Sequence, residues 1–403
     1  MAVCVVYNPA AGKGLAEVLI REYIQPQLNI WKIQKEDRPE PIYHVTNPIR
    51  GAKDAVRYLS PLTQTSTLIL LGGDGTTHEI IEEATEQFGQ DLSKLQLVLV
   101  PTGTGNALFQ SHFGPGPSDN EQWRLRSFEA FLQGDVQSLI PLSFLQVDPY
   151  HSTATVVASH ALHAAILRDS EVLRTEHPGI ERFKIAAEEN MNTWFDATLF
   201  LQPLDHGHVL RYDPVMRDFK PVSAAFDDYL CHGDGRVEMA GVFIYMNAML
   251  VDRLEADFIP APFAGVLSEP HLRRPPEAVD IIVIRPYRSP RVQTLLKNGD
   301  DVKGMHNEYA QDVIQPVLFE GMYRGGVHVD FTYTPDGQVD IQGSTEGPRV
   351  VEYFRASGYE WVSSPDDSQA HTTCVDGTIM AAARTHTKIS PVQGVKLWSK
   401  PWN

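Results

Sequence analysis

The sequence predicts an α/β domain built on a doubly wound parallel sheet, followed by a second, mostly antiparallel β domain. Three short apolar runs in the first hundred residues each end in a polar, glycine-bearing loop. Helical periodicity resumes after these loops, which is the alternation of an open parallel sheet. From Ser138 the texture changes to strand-like runs, the mark of an antiparallel domain.

The first run, Val3 to Tyr7, leads into Asn8-Pro9-Ala10-Ala11-Gly12-Lys13-Gly14 and a helix from Leu15. The second, Thr67 to Leu71, stops at Gly72-Gly73-Asp74-Gly75-Thr76-Thr77-His78-Glu79. After it Ile80, Ile81, Ala84 and Phe88 recur on one helical face while Glu82, Glu83 and Glu86 lie off it. The third, Leu95 to Val100, delivers Pro101-Thr102-Gly103-Thr104-Gly105-Asn106-Ala107-Leu108. Parallel strands place all three loops at one sheet edge, where open α/β folds bind ligands. Bare backbone N–H groups and a helix start suit a phosphate there. Gly12-Lys13 lacks the spacing and the following Ser or Thr of a Walker loop, and no G-x-G-x-x-G follows the first strand. Phosphate binding of another kind is expected.

A helix is expected over Glu121 to Leu132, after a turn-rich loop at Gly114 to Asn120. Strands are expected at Thr153–Ser159, Thr198–Leu201, Gly241–Met246 and Asp280–Ile284, with one clear helix over Arg182 to Trp194. Two polar stretches, 205–238 and 287–325, read as surface insertions, and Pro335-Asp336-Gly337 as a hairpin turn. The domains are thus 1–140 and 141–403.

Composition narrows the partners. A net charge of −17 over 403 residues argues against nucleic acid and against standing attraction to an anionic membrane. Three scattered cysteines suggest a reducing compartment. A strand beginning by residue 3 leaves no room for a leader. The longest apolar stretch, Met239 to Val251, is interrupted by Asn247 and is shorter than the ~20 residues of a membrane span. A cytoplasmic protein, peripheral at internal membranes, is expected; oligomeric state is not legible.

NPAAGKG, GGDGTTHE and PTGTGNAL, in this order, resemble the diacylglycerol kinase catalytic domain family, which includes sphingosine and ceramide kinases. His44-Val45-Thr46 followed by Gly51 to Ala55 is similar to the family's second-strand motif. Asp169 to Arg174, then Gly179 to Phe183, resembles the sphingosine and ceramide kinase branch. The resemblance implies a two-domain lipid kinase, with ATP and Mg²⁺ on the first domain's loops and a lipid in an apolar pocket of the second. Asp74 is then the proposed base for the acceptor hydroxyl, and Arg174 and Arg182 hold phosphates. Nucleotide contacts fall to Asn8, Pro9, Gly12, Lys13, Thr46, Gly72, Gly73, Gly75, Thr76, Gly103, Thr104, Gly105 and Asn106. Asp376, in Asp376-Gly377-Thr378, matches the family's closing DGE motif with Thr378 in place of Glu, and is added to that set. Glu79 is expected to cap.

The acceptor side departs from the pattern. Ser159, His163, Ala165 and Leu167 are the candidate acceptor contacts, and Ala165 and Leu167 stand where that branch carries acids that meet the lipid headgroup. A buried amine there would lack a counter-charge, which disfavours free sphingoid bases. Glu82-Glu83 replaces the family's usual Asn-Gly. A metal pair at His160 and His163 finds no further ligand at a recognisable spacing. Two other readings stay open: a non-catalytic nucleotide or lipid binder of the same fold, and a soluble small-molecule kinase of the NAD type.

Overall fold

Runs of branched aliphatic residues, too short for buried helices, become the central strands of the first unit. The computed structural model describes residues 2–59, 64–117, 120–177, 179, 181–223, 229–343, 347–390 and 394–399. Ser118 and Asp119 of the predicted loop, Ile180 of the branch motif and residues 224–228 of the first predicted insertion lie outside them. The chain divides into two compact units, 1–144 with 390–403, and 145–389.

In the first unit β1 (Ala2–Tyr7), β2 (Ile42–Val45), β3 (Ser66–Gly72) and β4 (Leu95–Pro101) are parallel in the order β2-β1-β3-β4. The C-terminal strand Lys396–Trp398 then pairs parallel with β4, and β5 (Leu139–Pro141) pairs antiparallel with that strand. The predicted boundary is corrected accordingly: the last residues return to the first unit, because Leu397 and Trp398 complete its sheet and core. Val3, Val5, Ile69, Leu71, Val98 and Val100 share a core with Leu28 and Trp31 of the first helical stretch and with Phe128 and Phe131.

The helix expected from Leu15 runs as α1 (Ala16–Leu19), a widened π turn over Ile20–Ile24, and α2 (Gln25–Ile33). Pro26 has no N–H for an ordinary helical bond, which accounts for the widening. α3 (Asp74–Phe88) and α4 (Ala107–Phe113) follow the second and third loops. The helix expected at 121–132 is two pieces, α5 (Glu121–Arg124), capped by Asn120, and α6 (Arg126–Gln133).

The second unit contains β6 (Leu145–Asp148), β7 (Ser152–Ala154), β8 (Val157–His160), β9 (Phe195–Gln202), β10 (Leu210–Asp213), β11 (Asp218–Pro221), β12 (Leu230–Cys231), β13 (Val237–Phe243), β14 (Tyr245–Met249) and β15 (Val279–Ile284). They are followed by β16 (Thr332–Tyr333), β17 (Val339–Asp340), β18 (Glu352–Ala356), β19 (Gly358–Ser363), β20 (Thr372–Val375), β21 (Thr378–Ala381) and β22 (Arg384–Ile389). Two antiparallel sheets result, ordered β11-β10-β18-β15-β14-β8-β20-β21 and β12-β13-β9-β19-β22-β6-β7. Leu199, Met239 and Trp361 of one share a core with Met246, Ile281 and Phe354 of the other.

Three expectations for this unit are corrected. The stretch 205–238 supplies β10 and the edge strands β11 and β12, because Tyr212 and Val237 bury one side of the chain there. The stretch 287–325 is largely helical and buries Tyr309, Val313, Val317 and Met322. A helix absent from the sequence reading, α7 (Ala161–Val172), precedes α8 (Glu181–Asn190). The hairpin at Pro335-Asp336-Gly337 forms between β16 and β17, with Gly337 at φ +84°.

Candidate active site

The three glycine loops of the first unit lie directly on one another. A Cβ on Gly12, at φ +54°, would stand 2.3 Å from the Thr102 carbonyl oxygen. One on Gly103 would stand 2.5 Å from Gly73 Cα. Both neighbours are backbone and cannot turn away, so these two glycines are demanded by loop-on-loop packing. Gly72 accommodates the buried Thr76 side chain, 2.3 Å from where its Cβ would be. Gly75 differs: nothing lies within 4 Å of the position its Cβ would take. It is in the first turn of α3, whose N-terminus has no side-chain cap.

Asp74 is already engaged. Its Oδ2 accepts the Ala107 N–H at 2.8 Å and its Oδ1 the Leu108 N–H at 3.0 Å, so it fastens the start of α4 to the second loop. Asn106, at φ +54°, receives the Gly103 N–H at 3.1 Å and donates to the Gly103 carbonyl at 2.7 Å. Asn8 closes the first loop by accepting the Ala10 N–H. Pro9 lies beside Gly14, Thr46 continues the β1 ladder through its N–H, and Gly105 accepts from Gln110. Lys13 and Thr104 are exposed. A pocket at this edge is lined by Gly73, Asp74, Thr77, Pro101, Asn106 and Phe109. The Thr102 hydroxyl is buried with no partner among the described residues.

The acidic departures on α3 have partners. Glu79 accepts the Ala52 N–H at 2.7 Å, Glu82 pairs with Lys53 at 2.9 Å, and Glu83 with Arg50 at 3.3 Å. Together they tie the segment after Thr46 to the helix behind the second loop. Glu79, expected to cap the start of its own helix, instead accepts from the 50–53 segment.

In the second unit Arg174 and Arg182 converge on one carboxylate. Arg174 donates to Glu171, and Arg182 lies 3.8 Å from the same oxygen. Arg182 is buried, stacks on Phe183, and its Nε has no partner among the described residues. Two guanidinium groups with one shared carboxylate form a net cationic pair, suited to phosphoryl oxygens.

Asp376, expected beside the nucleotide, is bonded within the second unit. Asp376 and Gly377, both at positive φ, form the tight turn between β20 and β21. Its carboxylate receives the N–H groups of Thr155, Val156 and Val157 and the Thr155 hydroxyl. Glu352 is no substitute for the missing Glu: its strand is four places from β20 in the sheet, about 19 Å at ordinary strand spacing. Its carboxyl is taken by Arg285.

Beneath α7 lies a neutral polar strip the sequence reading only touched. Cys374, Ser159 and Asn247 are register partners on β20, β8 and β14, all fully buried. Neighbours Ala158, Ala248 and Val375 face the inter-sheet core, so the strip faces α7. His163 of α7 meets the Ser159 hydroxyl at 2.7 Å. Burial pushes the His163 imidazole down to about 4 and the Cys374 thiol up to about 12, so both are neutral. Ala165 is buried nearby and carries no charge, while Leu167 is half-buried. His160 stacks on Trp361 with ring centroids 4.7 Å apart.

A glycine-loop edge on a parallel sheet and an antiparallel β unit in the same chain define a two-unit α/β protein. The resemblance read from the motifs is shown by comparison: residues 2–138 match the model of the diacylglycerol kinase catalytic domain. A structure of a diacylglycerol kinase from Bacillus anthracis str. Sterne matches with a TM-score of 0.51 at 12% identity, over 99% of this chain and 97% of that one. A candidate diacylglycerol kinase of the same organism gives 0.54 at 12% identity, over 99% and 95%. These likenesses show a shared fold. No curated protein matches the sequence. Among the described residues no helix is long and apolar enough to cross a membrane.

Proposed function

We propose that this chain is an ATP-dependent lipid kinase that phosphorylates a hydroxyl of a sphingolipid-like or diacylglycerol-like lipid. The observation that carries the reading is the loop edge of the first unit. Gly12 and Gly103 bring three loops into contact, while Gly75 leaves the uncapped start of α3 open. Phosphate oxygens fit that opening, where helix N–H groups and the helix dipole favour an anion. Mg²⁺ belongs with the nucleotide phosphates and supplies charge neutralisation when bound.

In the reaction the acceptor oxygen bonds to the γ-phosphorus, the bond to the β–γ bridging oxygen breaks, and ADP leaves. The acceptor proton passes to Asp74, which its two α4 bonds hold in place. Phosphoryl transfer asks the protein mainly for positioning and charge stabilisation, so a pinned carboxylate meets a modest demand. Arg174 and Arg182 are assigned to phosphoryl oxygens, the role the family resemblance implies.

One observation favours a second reading, a non-catalytic binder: both Asp74 oxygens serve as helix caps and Asp376 serves a turn. Transfer of labelled γ-phosphate from ATP and Mg²⁺ to a panel of hydroxyl lipids separates the two, with Asp74→Asn as control. Product from the wild type that falls steeply in Asp74→Asn supports the kinase. No product, with ATP still bound, selects the binder.

A further inference from the structure

The segment after β2 is fastened more firmly than an exposed loop requires. Residues 48–50 are exposed, Ile49 by 94%. Yet Asn47 Oδ1 accepts the Ile49 and Arg50 N–H groups at 2.9 and 2.8 Å, and its Nδ2 donates to Asp54 at 3.0 Å. Three carboxylates of α3 reach the same few residues. Glu79 accepts the Ala52 N–H, and Gly51, at φ +57°, has no Cβ to collide with that carboxylate. Glu82 takes the Lys53 ammonium, and Glu83 the Arg50 guanidinium, whose Nε also meets Asp54 at 3.0 Å. Glu83 is buried and accepts a further bond from Gln87 at 2.6 Å. A buried carboxylate that loses its cation is costly, so Arg50 is held fast.

We infer that Glu82 and Glu83 are positioning residues for the nucleotide: through Lys53 and Arg50 they set the segment that follows Thr46 before ATP arrives. The inference rests on the nucleotide part of the reading above and deepens it. Arg50 and Lys53 flank Gly51, whose N–H donates to the Asn47 carbonyl at 2.9 Å. Asn47 follows Thr46, whose own N–H is bonded to the Tyr7 carbonyl at the end of β1. One helix thus serves the loop edge twice, with its open first turn at Gly75 and with the acids of its later turns. Those two acids stand in place of the family's usual Asn-Gly, and each has its own cation. Position and charge predict opposite signs here. Carboxylates outnumber cations, with Asp54, Glu79, Glu82 and Glu83 beside Arg50 and Lys53. Their field opposes a polyphosphate, so neutralising one acid would tighten ATP binding if charge alone mattered. If the clamp matters, the same change frees the segment, and binding must then bear the cost of ordering it.

The test is titration with ATP and Mg²⁺ of the wild type, Glu82→Gln, Glu83→Gln and the exchanged pair Glu82→Lys with Lys53→Glu. Thermal unfolding, phosphate transfer and hydrogen exchange of residues 47–54 are measured alongside. Each Gln variant should weaken ATP about tenfold, the scale of ordering roughly one backbone residue on binding. KM for ATP should rise while kcat at saturation holds, and the exchanged pair should regain most of the loss. Exchange protection of 47–54 should fall in the ligand-free Gln variants and return with saturating ATP. The Glu82 carboxylate is the more exposed, 26% against 9%, so its pair decides the matter if Glu83→Gln does not fold. Tighter or unchanged ATP binding in the Gln variants would overturn the inference, even with lower melting temperatures or lost protection. So would a loss that the exchanged pair does not repair. ATP binding that depends on Glu82 without transfer to any lipid sinks the kinase reading alone. Transfer with an unaltered KM in both Gln variants sinks this one alone, and a wild type that binds no ATP sinks both.

Discussion

The loop edge of the first unit and the polar strip of the second solve the problem of a buried polar site in opposite ways. The first is made of backbone: glycines let three loops touch, and Asp74 and Asn106 spend their side chains fixing main chain. The second is made of side chains on rigid strands, neutral and buried beneath a helix. Where its loops touch, at Gly12 and Gly103, a backbone site tolerates no added atom, whereas a side-chain site is exposed to changes of protonation. The largest effect should therefore come from adding carbon at Gly103. Gly103→Val places its Cβ on Gly73 Cα and should abolish nucleotide binding while costing about 2 kcal/mol of stability, as overpacking does. Gly73→Val, with its nearest contact at 3.4 Å, should keep the fold. Thermal unfolding and ATP titration of the pair check this; equal melting temperatures would break the loop-packing account.

Acid should act on the second unit instead. His160, His163 and His328 are buried there, and burial lowers them to about 3, 4 and 4. Their folded values lie below the ordinary 6.5, so the unfolded chain binds more protons. The stability they contribute is present above 6.5 and is lost as pH falls toward the folded values, at about 1.4 kcal/mol per pH unit for each. Hydrogen exchange resolved by segment should show β8 and α7 losing protection between pH 6.5 and 4. His163→Gln should flatten part of that slope; an unchanged slope would remove His163 from the account.

Legibility followed the same divide. The strand–loop–helix pattern and the loop glycines are local signals, so the first sheet and its edge could be read residue by residue. What glycines alone do not say is what they face: Gly12 and Gly103 face other loops, whereas Gly75 faces open space. The strip was largely illegible because Cys374, Ser159 and Asn247 become neighbours only through pairing of strands far apart in sequence. The turn made by Asp376 was not legible as such, because an Asp-Gly pair suits a hairpin turn as well as a ligand site. The return of Leu397 to the first sheet rests on a three-residue strand that no periodicity announces.

Two backbone positions sharpen the comparison at small amplitude. Ala161 has φ +57°, a conformation glycine adopts without strain, at the junction of β8 and α7. Relief of that strain is worth roughly 1–2 kcal/mol. Against it stand a lost buried methyl, about 0.8 kcal/mol, and the extra freedom of unfolded glycine, about 0.5–1 kcal/mol. Ala161→Gly should therefore be nearly neutral, while Ala164→Gly, equally buried on the same helix but unstrained, should cost about 1.5 kcal/mol. Chemical denaturation of both variants measures the difference, and equal losses would deny the strain.

Gly75 is the mirror case and gives the smallest change in stability with the most to say about function. It lies in a helical first turn where a methyl would meet nothing, so conformational economy favours alanine there. Gly75→Ala should raise stability by about 0.5 kcal/mol, the low end for glycine in a helix. If phosphate oxygens approach the uncapped start of α3, the same methyl should cost nucleotide affinity several-fold. Opposite signs in unfolding and in ATP titration would mean that a glycine is kept at the expense of stability because a ligand needs its space. A variant both more stable and equally good at binding ATP would move the phosphate away from α3, and leave the opening at Gly75 without a purpose.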